Sequence, residues 1–470
     1  MNFLLSTYST LIISILLINI KTGVVELTIV TNSDDEYQAK ICLGTPSDQC
    51  FNVIPDFNSP YTWINSKECI FIDETPKFDP NKSKTFKHYD TLKEFKVNNE
   101  YQIEGTVVED SAEFPQFEIT NWRFILIDKY LTHPTKGNYY EGMLGLGFAH
   151  TIEENYSFVH LLEKQGIIKN KIFTFKTIND DNAELTFGVV PQKIIDDYKH
   201  FGTCNLGLKE YDYDKEWSKI NHTNEYDIHL KYNKPIWECV ASSIYLSNGN
   251  VEQINYESPN NIEGINLDFN KDYTVVPFSF LFFLENTVFK SAISKGDCSF
   301  YKDFKKNFYS FKCVVNEPVF DYEFLNIEFE KWKIKLKIST QLFVRYGNEI
   351  YCRFVSNEGE RNWYLGASLL QYFSIIFDMD NQVLGLYNET NIIYNNENEA
   401  VVPEYRTTLP DFVDPNKYKS IRKVGILVFV IILLCGIILL FRFIRRRMLI
   451  FQSNVETEKI EEYMKMPKSK

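Results

Sequence analysis

The stretch "IPDFNSPYTWI", residues 54–64, returns in altered form as "NLDFNKDYTVV", residues 266–276. Both copies read Asp-Phe-Asn, two variable residues, and then Tyr-Thr. A Leu-Gly pair follows each aspartate, in "MLGLG" after 89 residues (56 to 145) and in "YLGAS" after 98 residues (268 to 366). A repeat of this length is too long for a solenoid and indicates two homologous lobes. Two copies of one loop, related by a pseudo-twofold axis, would bring Asp56 and Asp268 together.

The composition indicates a folded, mostly β protein. The chain has 470 residues, a formal net charge of −13 and a pI near 5.2, which argues against nucleic acid as a partner. From residue 26 to about residue 394, short runs of β-branched and aromatic residues are broken by Gly, Pro, Asn and Asp. The best helical pattern is "YSFVHLLEKQGI", residues 156–167, which Gly166 closes.

Apolar segments mark both ends of the chain. The apolar centre at Thr10–Ile18 predicts a signal peptide over residues 1–23. Residues 424–441, "VGILVFVIILLCGIILLF", carry no charge and predict one C-terminal transmembrane helix. A polar, proline-dotted stalk at 396–423 precedes this helix, and a cytosolic tail at 442–470 follows it. The predicted topology is single-pass type I, with the folded body in the lumen of the secretory pathway.

The segment before the predicted span carries features of an oxidising, glycosylating compartment. Eight of the nine cysteines lie there: Cys42, Cys50, Cys69, Cys204, Cys239, Cys298, Cys313 and Cys352. Four N-glycosylation sequons lie there as well: Asn81, Asn155, Asn221 and Asn388. In the tail, the stretch from Tyr463 to Met466 matches a Tyr-x-x-bulky sorting signal, the alternative being a solvated tail. The expected destination is the plasma membrane or an endosomal or lysosomal membrane.

Three stretches resemble the pepsin-like aspartic peptidases. "YQAKICLGTPSDQCFNVIPD" (37–56) is similar to that family's first strands, "EGMLGLGF" (141–148) to its Leu-Gly-Leu stretch, and "NWYLGASLLQYFSIIFDMDNQVLGLY" (362–387) to its final strands. The resemblance implies a mostly β, bilobal fold with pseudo-twofold symmetry, with lobes at 25–200 and 201–395. It also implies that a peptide or protein binds in the interlobe cleft. We expect a monomer without cofactor or metal.

The resemblance suggests disulfide pairings as well. Cys313 and Cys352 match the disulfide of the family's second lobe. Weaker suggestions are Cys42 with Cys50 and Cys204 with Cys298.

The resemblance implies that Asp56 and Asp268 are the catalytic pair. Two carboxylates that lie close together cannot both ionise easily, so they share one proton and titrate as a unit. One carboxylate then removes a proton from water, and its protonated partner supplies a proton to the carbonyl or the leaving group.

The residues around the aspartates depart from the family pattern. Family members carry Asp-Thr-Gly or Asp-Ser-Gly in each lobe, and the hydroxyl residue forms a hydrogen bond across the lobes. Phenylalanine stands at the hydroxyl position in both copies and asparagine at the glycine position. In the second loop, the ammonium group of Lys271 would favour the doubly ionised state of the aspartate pair, the alternative being that its long side chain carries the charge out to solvent. The predicted cleft-lining residues are Asn58, Ser59, Asn270, Lys271 and Tyr101, the last as a substitute for the family's flap tyrosine.

Two functions remain open from the sequence. The first is a membrane-anchored aspartic endopeptidase whose degenerate site has weakened or lost catalysis. The second is a catalytically inactive receptor or scaffold that binds a peptide or protein in the cleft without cutting it. The early first strand, at "GVVELTIV", leaves no room for an inhibitory pro-segment, which favours lost activity. A third, less favoured reading is a hard-cation site built from the paired carboxylates and asparagine carbonyls.

Overall fold

The structure is a computed structural model. It describes residues 25–31, 37–69, 75–97, 101–114, 117–131, 140–149, 154–179, 182–212, 231–249, 252–257, 263–268, 273–303, 307–314, 318–346 and 349–394. The predicted signal peptide, stalk, transmembrane helix, sorting signal and sequon Asn221 lie outside these ranges. Within these ranges, no helix combines the length and apolar character needed to cross a bilayer.

The first half of the chain is built mainly of strands. They are β1 Val25–Thr31, β2 Tyr37–Leu43, β3 Gln49–Asp56, β4 Trp63–Asn65, β5 Lys87–Val97, β6 Tyr101–Phe114, β7 Phe117–Tyr130, β8 Gly142–Gly145, β9 Ile172–Asn179, β10 Asn182–Phe187, β11 Phe201–Asn205 and β12 Gly207–Asp212. The helices are α1 Phe158–Lys164 and α2 Gln192–Asp196, with 3₁₀ turns at Pro80–Lys82 and Tyr198–His200.

The second half continues the same architecture. Its strands are β13 Lys231–Ile236, β14 Glu238–Ala241, β15 Ser243–Asn248, β16 Glu252–Asn255, β17 Glu263–Asp268, β18 Thr274–Val275, β19 Cys298–Asp303, β20 Phe308–Cys313, β21 Phe324–Glu328, β22 Trp332–Lys337, β23 Phe343–Tyr346, β24 Glu349–Cys352, β25 Phe354–Val355, β26 Trp363–Gly366, β27 Ser374–Asp378, β28 Val383–Tyr387 and β29 Ile392–Tyr394. Its helices are α3 Phe278–Asn286, α4 Lys290–Ser294, α5 Ile338–Gln341 and α6 Ala367–Leu370. The mostly β class predicted from the sequence is confirmed.

Alternating burial explains why the apolar runs form strands. In β2, Tyr37, Ala39, Ile41 and Leu43 are buried, and the residues between them are more exposed. Side chains of a strand alternate between the two faces of its sheet, so this pattern buries one face only. The first predicted strand, at "GVVELTIV", is confirmed as β1.

The largest sheet draws strands from both halves of the chain. It has thirteen strands in the order β11-β28-β27-β9-β10-β1-β2-β3-β8-β4-β7-β6-β5. Strand β27 pairs antiparallel with β9, so that Ile376 faces Thr174 across the ladder. On its other side, β27 pairs with β28, and β28 in turn pairs with β11. The two halves are therefore joined by continuous backbone hydrogen bonding.

Helix α1 forms at the helical pattern found in the sequence. The Ser157 side chain accepts a hydrogen bond from the backbone N–H of His160 and caps the N-terminus. The helix ends before Gly166, whose φ of +66° is a left-handed conformation that glycine adopts without strain. Its apolar residues Phe158, Val159, Leu161 and Leu162 are buried.

The disulfides correct two of the three suggested pairings. Cys42–Cys50 is confirmed, with a Cα–Cα distance of 4.0 Å. Cys313 instead bonds to Cys298, which faces it directly across the β19–β20 ladder with the same Cα–Cα distance, 4.0 Å. The residue that faces Cys313 on β24 is Ile350, so Cys352 lies two residues further along that strand and keeps a buried thiol.

The suggested Cys204–Cys298 pairing is therefore wrong as well. Cys204, on β11, bonds to Cys239 on β14, with a Cα–Cα distance of 5.7 Å. This separation lies within the range that a disulfide spans without backbone movement. The bond ties the edge of the thirteen-stranded sheet to the sheet that carries Asp268.

Candidate active site

Asp56 is the last residue of β3. This strand runs parallel to β8, and Asp56 faces Gly145 across the ladder. The side chain is fully buried. Its Oδ1 accepts hydrogen bonds from the backbone N–H of Asn58, at 2.9 Å, and of Ser59, at 3.3 Å. Backbone donors stabilise a carboxylate and fix its orientation.

Asp268 occupies the same place in the second half. It is the last residue of β17, which runs parallel to β26, and it faces Gly366. Each aspartate thus ends a strand beside the glycine of a Leu-Gly pair. The residues that follow, 269–272, lie outside the described part, so the predicted cleft residues Asn270 and Lys271 are not placed.

Two threonines make the same hydrogen bond in the two halves. The backbone N–H of Gly145 donates to Thr62 Oγ1 at 3.0 Å, and that of Gly366 donates to Thr274 Oγ1 at 3.2 Å. Both threonines are fully buried. They are the last residues of the repeated Asp-Phe-Asn-x-x-Tyr-Thr pattern. The sequence shows the repetition, but it gave the threonines no role.

Phe57 turns away from its neighbour Asp56 and into the core. Its ring is 3% exposed. It stacks on Phe377, with ring centroids 4.9 Å apart, and on Phe173, at 6.2 Å. The ring is thus accommodated among aromatic residues of β9 and β27.

The remaining predicted cleft residues of the first loop differ in exposure. Asn58 is exposed, whereas Ser59 is half-buried. Ser59 Oγ accepts a hydrogen bond from the backbone N–H of Tyr61 at 3.2 Å, and this bond stabilises the turn. Tyr101 begins β6 and faces Val97 across the β5–β6 hairpin. The connection at 98–100, where the flap position falls, lies outside the described residues.

The hairpin is anchored to the body by Asp110. This buried carboxylate accepts hydrogen bonds from Ser83 Oγ, at 3.0 Å, from the Thr85 hydroxyl and from the backbone N–H of Ser111, at 2.8 Å. As for metal binding, the described residues contain no group of three or more His, Cys, Asp or Glu side chains that could hold an ion.

The described sequons differ in the exposure and hydrogen bonding of their asparagine side chains. Asn81 is exposed in the 3₁₀ turn, and Asn155 is half-buried and accepts a hydrogen bond from Lys164 Nζ at 2.9 Å. The amide nitrogen of Asn388 donates to the Tyr372 carbonyl. Its Oδ1 accepts from the backbone N–H of Thr390 at 2.7 Å, so this side chain stabilises a turn.

The chain is similar in sequence to a known protein family and to a curated protein. A family model described as eukaryotic aspartyl protease matches residues 36–388. Syncephapepsin of Syncephalastrum racemosum is 29% identical over 154 residues, which cover 32% of this chain and 38% of that relative. The chain therefore aligns with well under half of the length of this curated relative.

Proposed function

The chain belongs to the eukaryotic aspartyl protease family, and from this premise we propose that it is a membrane-anchored aspartic endopeptidase with a modified, slow active site. One observation carries the proposal. Each of Asp56 and Asp268 ends a strand beside the glycine of a parallel neighbour, and in each half that glycine donates to a buried threonine. A repeated arrangement of this kind supports a bilobal fold with pseudo-twofold symmetry and a paired-carboxylate site.

The proposed chemistry is general acid–base catalysis by the two carboxylates. The ionised aspartate removes a proton from a water molecule, which attacks the peptide carbonyl carbon. The protonated aspartate donates a hydrogen bond and then its proton, which ends on the leaving amine nitrogen when the C–N bond breaks. The substrate is a peptide or protein segment in the interlobe cleft. No cofactor takes part.

Two observations support a slow rather than an efficient enzyme. Phe57 stands where the family carries a hydroxyl, and its ring lies in the core, so it offers no hydrogen bond across the cleft. Asn58 adds an exposed side chain where the family carries glycine. Small errors in the placement of reacting groups reduce the rate of catalysis steeply.

The same observation on Phe57 favours a second candidate function. A cleft that keeps its frame but not its cross-lobe hydroxyls would bind an extended peptide without cutting it. In that case the protein is a receptor or scaffold. The apolar segment 424–441 and the signal-like segment 1–23 support membrane anchoring under both functions.

The deciding experiment measures cleavage of a denatured protein by the full-length chain in mild detergent, from about pH 3 to 7. We expect slow turnover that is lost in Asp56→Asn and in Asp268→Asn. Asp48→Asn, which alters an exposed carboxylate, serves as the matched control and keeps the wild-type rate. A folded wild type that binds a transition-state-mimicking inhibitor but shows no turnover would replace the peptidase with the binding protein.

A further inference from the structure

We propose that Thr62 and Thr274 are positioning residues that hold the strand beside each aspartate from within its own half of the molecule. This inference rests on the proposed function, because the aspartates it positions are those of the proposed catalytic pair. It concerns the two hydrogen bonds from Gly145 and Gly366, at 3.0 and 3.2 Å.

The register of the strands shows where each threonine hydroxyl adds a hydrogen bond to the ladder. In the first half, β4 and β8 are antiparallel, and Trp63 faces Met143. Thr62 lies one residue before Trp63, and Gly145 lies two residues after Met143. The backbone N–H of Gly145 donates to the Thr62 side chain at this position. The Thr62 hydroxyl thus adds one hydrogen bond to the ladder at the position where β4 begins.

The second half repeats this register. Val275 of β18 faces Tyr364 of β26, and these strands are also antiparallel. Thr274 precedes Val275 by one residue, and Gly366 follows Tyr364 by two. The offset between threonine and glycine is the same in both halves. The same hydrogen bond, between a glycine N–H and a threonine hydroxyl, therefore occurs once in each half.

Short contacts join β8, the strand that carries Gly145, to the loop that follows Asp56. The backbone N–H of Leu146 donates to the Asp56 carbonyl at 2.7 Å, and that of Gly147 donates to the Ser59 carbonyl at 2.9 Å. A Cβ atom on Gly145 would lie 2.5 Å from the carbonyl carbon of Pro60. There is thus no room for a side chain between β8 and the loop, and these hydrogen bonds couple the position of β8 to that of the loop that follows Asp56.

Burial makes each hydroxyl hard to replace. Thr62 and Thr274 are 0% exposed, and both hydrogen bonds lie in the interior. A valine has nearly the shape of threonine but cannot accept a hydrogen bond, so it leaves a buried N–H without a partner. Phe57 cannot supply an acceptor, because its side chain is hydrocarbon and lies in the core. In the first half, therefore, the hydroxyl of Thr62 is the side-chain group that binds the Gly145 N–H of β8 beside Asp56.

The first test is amide hydrogen exchange of the full-length chain, which needs no enzymatic activity. In the wild type we expect Gly145 and Gly366 to exchange as slowly as paired ladder amides such as that of Leu146. Thr62→Val should speed exchange at Gly145 about 10- to 100-fold and leave Gly366 unchanged, and Thr274→Val should do the reverse. Thr62→Ser, which keeps the hydroxyl, should retain the wild-type protection.

Thr174→Val is the matched control. Thr174 is also a buried strand threonine, but its hydroxyl makes no hydrogen bond to any described residue. We expect this variant to change exchange at neither glycine. Rapid exchange of both glycines in the wild type, or exchange that the valine variants leave unchanged, would overturn the inference. The exchange rates of Gly145 and Gly366 in the wild type still test the inference if one valine variant fails to fold.

The second test separates positioning from simple stability. In the active enzyme, Thr62→Val and Thr274→Val should lower kcat about 10-fold or more with KM nearly constant, and the serine variants should restore it. A fall in stability without any change in kcat would overturn a positioning role. If the wild type has no turnover, the proposed peptidase function fails, whereas the exchange experiment still decides whether the threonines hold the strands.

Discussion

The direction of one side chain decides how the altered motif fits the fold. Neighbouring residues of an extended segment point to opposite sides, so a buried Asp56 leaves Phe57 facing the other way, into the core. There it packs edge-on against Phe175, with ring centroids 5.8 Å apart, in addition to its two stacked neighbours. The sequence identified the aspartate and the replacement of the hydroxyl. It could not show the aromatic partners, because they lie more than a hundred residues away in the chain.

Restoring the family hydroxyl at this position should harm the protein. Phe57→Thr removes a ring from an aromatic cluster and buries a hydroxyl, so we expect a loss of about 3–5 kcal/mol in the free energy of unfolding. Urea unfolding measures this change. The control, Phe282→Thr, alters a ring that is 44% exposed and should cost far less. Equal losses in the two variants would show that the position of Phe57 in the core is wrong.

Two sequons should behave differently when the chain passes through a secretory pathway. Asn81 is exposed and should carry a glycan, whereas the amide nitrogen of Asn388 is occupied by the Tyr372 carbonyl. Asn388→Gln should therefore leave the glycan mass unchanged and lower stability by about 1–2 kcal/mol through lost turn hydrogen bonds. Asn81→Gln should remove one glycan at little cost in stability. Mass spectrometry before and after enzymatic deglycosylation checks both, and a glycan on Asn388 would contradict the prediction.

At the scale of elements, helix α1 shows what local pattern can predict. The apolar spacing and the closing glycine gave its position, and its cap is also local in sequence. The sheet that carries Cys313 shows the opposite case. Which cysteine faces Cys313 depends on the register of three strands, and register follows from side chains that contact only after the chain has folded.

His160 on helix α1 should make stability depend on pH. Burial, and next the Lys171 ammonium, lower the pKa of His160 below its ordinary value of 6.5, against the weaker opposing effect of Glu154 and Asp380. The unfolded chain therefore binds more protons than the folded one as pH falls through about 6.5, and folding is destabilised. His160→Gln should lose less stability than the wild type between pH 7 and pH 5.

Thermal unfolding at the two pH values measures this difference. The control is His88→Gln, which alters an exposed histidine and should keep the wild-type pH dependence. If His160→Gln falls in stability with pH as steeply as the wild type, His160 is not the group responsible.

The thiol of Cys352 should be inert in the folded protein. Burial raises the pKa of Cys352 to about 12, so almost no thiolate, the reactive form, is present near neutral pH. We expect an alkylating reagent at pH 8 to modify Cys352 only after unfolding. Peptide mapping without reduction should recover Cys298 linked to Cys313. Recovery of Cys313 linked to Cys352 would instead restore the pairing that the family resemblance suggested.

At the scale of the whole molecule, the doubled motif predicted repeated local geometry, and the structure has it. The motif could not predict that β27 and β28, near the end of the described body, complete a sheet begun by β1. Such pairings join residues about two hundred positions apart, as at Ile376 and Thr174, and no local pattern encodes them. The sequence likewise gave no sign that Cys204 and Cys239 form a disulfide.

Trp237 connects the surroundings of the two aspartates. Its buried ring lies 4.8 Å from that of Phe377, which stacks on Phe57 beside Asp56. Its carbonyl accepts from the backbone N–H of Leu267, next to Asp268, at 3.4 Å. A change in this ring should therefore disturb both aspartate loops.

Trp237→Leu should lose about 2–4 kcal/mol of stability and should also weaken binding of a transition-state-mimicking inhibitor. Trp122→Leu is the matched control, since Trp122 is equally buried but its ring packs on Phe124 of β7 and Phe158 of helix α1. It should lose similar stability and keep inhibitor affinity. Calorimetric titration of the folded variants separates these effects. Equal loss of affinity in both would show that general loosening, and not the link through Trp237, sets the geometry of the site.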